Sequence, residues 1–495
     1  MGNGPGGLVD YIDLFRSEPL VQGGLVWEWA NHGLLKKEGD IEYYAYGGDF
    51  GDEPNDADFI MDGLLLSDHT PMPSLAEYAK VIQPVTVKLN EAGDKMVVVN
   101  HYDFLDLGRL DATWHLVQDS DGNGTESKSL ELPGVPAGEN RTVDLPFDKG
   151  SLTQDSWLTV EFKLKQGTKW ADEGHIVAWD QLYFQASSQR RTRASTSVEK
   201  LLINRQGGAE PERNGTKLQV DMGSSQFGFD LLQGNVTWSV DGVDLLQRGP
   251  ELSFCRALTQ NDMGGGGDGD PWAQARVCEM HTQVRDVTWE SSGDGLVVTY
   301  HVWFAPKVLE WGADATLTYT VSESSLRVRA KGEFVGESQP EVLPRIGLMA
   351  VLPKSFDKAA WFGRGPGESY GDSKQAGRVG RHESTVEDLF QYYDYPQENG
   401  NREDARWLRL TSGPVTLDAR RGEGAGSTFS FTAKRYMPGD LDAALHPHEL
   451  KPLDFTVLNL DYETNGLGTA SCGPGPFEEY RCFTKAFDFS FDLSV

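Results

Sequence analysis

The chain has 495 residues, 38% apolar and 24% charged, a balance that builds buried cores, excludes a disordered chain and leaves room for two to four domains. A net charge of −30 argues against nucleic-acid binding, which needs clustered Lys and Arg, and against anionic membranes. No stretch reaches the roughly 18 apolar residues of a membrane span, and MGNGPGGLVDYIDLF at the start lacks the basic region and unbroken apolar core of a secretory signal.

In chain order, residues up to 84 read as mixed α/β. Leu8, Ile12 and Phe15 share one helical face. The run LVQGGLVWEWA then predicts a short buried strand, with Trp27 and Trp29 on one side and Glu28 on the other. PSLAEYAKVIQP predicts a helix bracketed by Pro73 and Pro84, opened by a Ser74–Glu77 capping box.

Past Pro84 the apolar period changes to two. SWLTVEFKLKQG places Leu158, Val160, Phe162 and Leu164 on one face and Thr159, Glu161, Lys163 and Lys165 on the other, a half-buried antiparallel strand. Recurrent turns such as DSDGNG make 85–187 an expected sandwich, and the polar, basic run at 188–200 an expected linker. From 201 to 495 strands dominate, implying one large antiparallel sandwich. MGGGGDGDP (263–271) reads as a flexible loop within it, GRGPGESYGDS (363–373) as a structured turn, and FDFSFDLSV places Phe487, Phe489, Phe491, Leu493 and Val495 on one side of a closing strand.

The densest chemistry lies in YGGDFGDEPNDADFIMDG. Asp49, Asp52, Glu53, Asp56, Asp58 and Asp62 crowd a glycine-rich loop, which suits either a solvated acidic turn or a rim that takes a hard cation or sugar hydroxyls. The spacing is not that of an EF-hand. Trp27 can serve as a stacking platform for a sugar or as a core residue. His446 and His448 have the spacing of strand metal ligands but no third ligand, which favours a structural role. Four cysteines without a CxxC pair do not form a disulfide scaffold at this size, so a reduced, cytoplasmic setting is the default. No GxSxG, HExxH, Walker A or dinucleotide fingerprint occurs.

GGLVWEWANHGL, YGGDFGDEPNDADFIMDGLLLSDHTPMPSLAEYAK, GHIVAWDQLYF, FCRALTQNDMG, WFGRGPGESYGDS, YPQENG and LDYETNGLG, in that order, resemble the glycoside hydrolase family 2 β-galactosidases, the yeast-like members more than the bacterial ones. The resemblance implies a mainly β, multidomain chain. Residues 1–84 would be the C-terminal remnant of a (β/α)8 barrel, 85–187 an immunoglobulin-like sandwich, and 201–495 a galactose-mutarotase-like supersandwich.

The same resemblance makes Trp27 the wall of a galactose subsite and the Phe59 carbonyl a sodium ligand. Asp62 stands where an oxygen donor to that ion and to galactose is expected. Cys472 or Gly473 occupies the aglycone subsite. It also implies that both catalytic glutamates, and most ligands of the family's Mg2+, lie upstream of residue 1, so that the chain has no catalytic residue of its own. The expected activity is then retaining hydrolysis of terminal β-D-galactosides such as lactose by the family. The alternatives for this chain are a non-catalytic subunit that complements an N-terminal β-galactosidase fragment, and a carbohydrate-binding or mutarotase-like module. Homo-oligomers are expected of the full-length family.

Overall fold

The computed structural model describes residues 2–119, 124–186, 210–292, 295–422 and 427–495; the expected linker at 188–200 lies outside the described residues. The chain divides into two compact units, Glu77–Ser197 with Gln375–Arg381, and Met1–Ala76 with Val198–Lys374 and His382–Val495.

The first unit is a two-sheet sandwich. Val85–Leu89, Lys95–Asn100 and Asn140–Asp144 form one sheet, and Lys128–Leu130, Leu110–Gln118, Ser156–Leu164 and Ile176–Phe184 the other. Alternate residues from both sheets, among them Val85, Val87, Met96, Val98, Leu158, Val160 and Phe162, fill one core. The strand Ser156–Leu164 departs from its half-buried expectation, because Thr159 and Glu161 on its polar face are buried too. The segment Gln375–Arg381 of the same unit supplies the reason: Arg378 pairs with Glu161 at 2.6 Å, and Lys163 pairs with it at 3.0 Å.

The second unit holds two five-stranded sheets and a nine-stranded one, all antiparallel among their paired strands. The last strand, Phe487–Ser494, lies beside Ser325–Val335, with Leu326 opposite Leu493, Val328 opposite Phe491 and Ala330 opposite Phe489. Phe487, Phe489, Phe491 and Leu493 are buried as the alternation requires, while Val495 at the strand's end is exposed. The chain's end is therefore part of the same core as Trp238, Tyr300 and Trp361.

Two features of this unit correct the sequence reading. The run 263–271 is not a flexible loop. It lies between short helices, Gln260–Met263 and Gly269–Gln274, the first opened by a Thr259–Asp262 capping box. A side chain at Gly264 or Gly267 would come within 2.2 Å of the Ala470 or Asn261 carbonyl, so these glycines permit close backbone packing. Cys255 and Cys278, their Cα atoms 4.9 Å apart, form a disulfide, a local staple that the count of four cysteines did not foresee; Cys472 and Cys482 are free.

Residues 2–81 hold two α-helices and a hairpin. The predicted helix is present as α1, Leu8–Ser17, with none of its residues buried. The predicted strand over 20–30 is absent: Leu25 is fully exposed, and the only ladder contact is a parallel bridge from Ala30 to Leu65. A strand needs a neighbour to satisfy its backbone, and the described part of the chain offers one only at its last residues. Leu34–Glu38 and Ile41–Ala45 then make a hairpin that the sequence reading missed, with Gly39 in the left-handed region at φ 64°. The helix α2, Pro73–Val81, forms as predicted, but without its capping box. Ser74 Oγ is buried without a partner, and the Glu77 carboxylate accepts bonds from the backbone N–H groups of Gln375 and Ala376 at 3.0 and 2.8 Å.

Candidate functional site

The acidic loop folds back onto the WEWAN stretch through its backbone. Glu28 N donates to Asp62 O at 3.0 Å, Leu64 N to Glu28 O at 3.0 Å, and His32 N to Ile60 O at 3.0 Å. These bonds set the Glu28–His32 stretch, which follows Trp27, against the Ile60–Leu64 stretch, which follows Phe59 and contains Asp62, more than thirty positions later in the sequence. Trp27 is 79% exposed and Trp29 also faces outward, so neither is a core tryptophan in this chain. A broad exposed ring of this kind is suited to stacking against an apolar ligand face.

The six carboxylates divide by role. Asp52, Glu53 and Asp56 are exposed, the solvated-turn outcome. Asp49 turns inward: it accepts from Tyr46 N at 2.7 Å and pairs with His446 Nε2 at 3.1 Å. His446 stacks nearly parallel on His448, and both rings contact Tyr43. His446 thus braces the acidic loop through Asp49; among the described residues no group of three His, Cys, Asp or Glu is arranged to hold a metal. Asp58 contacts Gln260 Nε2; burial raises its carboxyl above the usual range and that bond opposes the rise.

Asp62 is only 7% exposed, and its Oδ1 has no hydrogen-bond partner. Burial, and next the neighbouring Glu28 charge, raise its pKa. Glu28 itself pairs with His32 at 2.9 Å. A buried carboxylate oxygen without a donor, three residues after the Phe59 carbonyl on one short loop, fits a hard cation, which prefers oxygen ligands.

Cys472 and Gly473 lie on a separate turn, where the N–H groups of both donate to Thr469 O at 3.2 and 2.6 Å. Cys472 is exposed. Among the described residues no hydrogen bond joins this turn to Trp27, Phe59 or Asp62. An adjoining cavity of about 340 Å3 lies between α1 and the 468–480 loop, lined by Asp10, Tyr11, Leu14, Pro476, Phe477 and Tyr480 among others.

Sequence reading missed the polar residues that bond these stretches. Asn31 Nδ2 donates to Asp394 Oδ2 at 2.8 Å, and Asn31 Oδ1 accepts from Gly63 N at 2.9 Å. Asn3 N donates to Gln397 Oε1 at 3.0 Å. The YPQENG motif was visible, but nothing in its spacing says which loop it meets.

Antiparallel sheets in both units define a mainly β, multidomain protein. Comparison with known sequences makes the class specific. A profile described as "Beta galactosidase small chain" matches residues 221–493, "Beta-galactosidase, domain 4" residues 96–185, and "Glycosyl hydrolases family 2, TIM barrel domain" residues 1–87. The chain is 32% identical to a β-galactosidase of Kluyveromyces lactis over all of its length and 46% of that protein. It is 31% identical to one of an Arthrobacter species over 98% of its length and 48% of that protein. A solved galactose mutarotase-like protein of Clostridium acetobutylicum is similar over 57% of this chain and 97% of its own, at 9% identity and a TM-score of 0.31.

The chain belongs to the glycoside hydrolase family 2 β-galactosidases. It spans about half the length of the curated relatives it matches. Yeast and bacterial relatives match at 32% and 31% identity, so the similarity does not single out the yeast-like members. Among the described residues no helix is long and apolar enough to cross a membrane.

Proposed function

We propose that this chain supplies the galactose-binding wall of a β-galactosidase that hydrolyses terminal β-D-galactosides with retention. In this reading Trp27 stacks on the sugar, and Asp62 with the Phe59 carbonyl holds Na+ beside it. A bound sodium ion would supply a fixed positive charge for sugar hydroxyl oxygens. Cys472 and Gly473 border the aglycone. Retention needs two carboxyl groups about 5–5.5 Å apart, and in this reading both are carried by polypeptide that precedes Met1 in the family pattern. The chain alone is then inactive, and its partner is an N-terminal β-galactosidase polypeptide bearing the rest of the barrel and most Mg2+ ligands.

One observation supports the reading: Glu28, next to Trp27, is bonded through its backbone to Asp62, while the stretch leading into it, Gln22 to Val26, is exposed and strandless. Such a run suits a barrel strand awaiting its neighbours. The test is hydrolysis of a chromogenic β-galactoside by the purified chain, alone and mixed with an N-terminal β-galactosidase polypeptide. Turnover on mixing only is expected. Turnover by the chain alone would refute the placement of the catalytic glutamates, and silence in both would refute the complementing role.

A further inference from the structure

The loop that carries Phe59 and Asp62 is fastened by a turn of the large sandwich more than three hundred residues later. Asp394 is 9% exposed, and its Oδ2 accepts three hydrogen bonds: from Asn31 Nδ2 at 2.8 Å, Ser67 N at 3.0 Å and Ser67 Oγ at 2.6 Å. Asn31 passes the constraint on, since its Oδ1 takes the Gly63 N–H at 2.9 Å. Ser67 does the same on the other side, accepting from Gly33 N at 3.1 Å. There is no slack at the junction: a Cβ on Gly63 would lie 2.3 Å from the Ala30 carbonyl carbon and the Asn31 nitrogen. Asp62, one bond away, inherits this geometry, and so does Glu28, whose N–H meets Asp62 O.

Three residues on from Asp394, Gln397 makes a second set of contacts. Its Oε1 accepts from Asn3 N at 3.0 Å and from Gln260 N at 3.3 Å, and Gln260 in turn contacts Asp58. A single turn thus grips Asn3, the 58–63 loop and the WEWAN stretch. A charged acceptor with three donors on one oxygen is worth more than neutral bonds, and groups that fix loop geometry act on binding through tenths of an ångström.

We propose that Asp394 is a positioning residue: through Asn31 and Ser67 it sets the Asp62 loop, so that affinity for galactose and for sodium is tuned from the large sandwich. This rests on the galactoside reading above. The consequence is that substitution at Asp394 weakens ligand binding without touching ligand.

The test compares the unmutated chain with D394N, which keeps size and removes charge, and with S67A, which removes the hydroxyl and leaves Asp394 intact. Hydrogen exchange of the Gly63, Leu64 and Leu65 amides in the 495-residue chain reads the loop. Sodium affinity by 23Na relaxation and galactose affinity by ligand-observed NMR, for the chain alone and mixed with the N-terminal polypeptide, read the site. D394N should speed exchange at these amides by about 10-fold or more and raise both dissociation constants by about 10-fold. S67A should shift each in the same direction by less. Unchanged exchange in both variants overturns the clamp. Faster exchange with unchanged sodium and galactose affinity overturns its control of binding. If the unmutated chain binds no galactose in either setting, the galactoside reading falls and takes this role with it, whatever the exchange rates.

Discussion

Arg256 is 2% exposed at the heart of the larger unit, and its removal is the perturbation with the clearest expected cost. Its Nη2 donates to Asp262 Oδ1 and Oδ2 at 3.0 and 3.1 Å, its Nη1 to Asn465 O at 2.6 Å, and Nη2 again to Gly466 O at 3.3 Å. Two unit charges 3.0 Å apart attract by about 5–6 kcal/mol at an effective dielectric near 20. Desolvation of both groups offsets much of that in the intact pair, but a single deletion strands the other charge at a cost of about 3–5 kcal/mol. R256M should therefore lose about 3–5 kcal/mol, and D262L a comparable amount, since it also removes the Thr259 N–H acceptor at 2.8 Å. R256M/D262L should be less destabilised than the sum of the two by at least about 2 kcal/mol, because no stranded charge remains. Urea unfolding followed by near-UV circular dichroism measures all three. Additivity within about 0.5 kcal/mol, or a single-variant loss under about 1 kcal/mol, would refute the reasoning.

Other expectations follow from the same structure. Phe489, fully buried and stacked on Tyr462 with ring centroids 5.1 Å apart, should cost about 3–5 kcal/mol on truncation to Ala, read by the urea midpoint. Replacing Cys255 and Cys278 by Ser opens a loop closed across 23 positions and should cost about 3 kcal/mol under oxidising conditions and nothing in reductant; equal stability in both would count against the crosslink. Burial, opposed by Arg345, pushes the Asp461 carboxyl up to about 7. Its folded pKa exceeds the unfolded value of about 3.9, so the folded state holds the proton more tightly. That stabilisation is complete below about pH 4 and is lost as pH rises through about 7. The urea midpoint should fall across this window, and less steeply in D461N. A steeper fall in that variant would contradict the assignment.

Period-two alternation and turn chemistry made the two sandwiches legible, since the faces of a strand are written in its own residues. Phe487, Phe489, Phe491 and Leu493 went where their spacing sends them. Local signals failed where distant chain took over a local group. Ser74 and Glu77 have capping-box spacing, yet Glu77 is held by Gln375 and Ala376. Thr159 and Glu161 read as a wet face, yet the Gln375–Arg381 segment covers them. The Gly39-Asp40 turn between LLKKE and IEYYA was a hairpin signal available to be read, and it was passed over.

The site shows the same division. Residue type left Trp27 between core and platform and the acidic loop between solvated turn and rim, and only the family resemblance singled out Trp27 and Asp62. Only the tertiary structure decided which carboxylates face water and which turn inward. It also decided that His446 pairs with Asp49, and that Asp394 bonds Asn31 and Ser67. Periodicity is a property of a few consecutive residues, whereas a buried hydrogen bond between positions 31 and 394 exists only once every intervening strand has been placed.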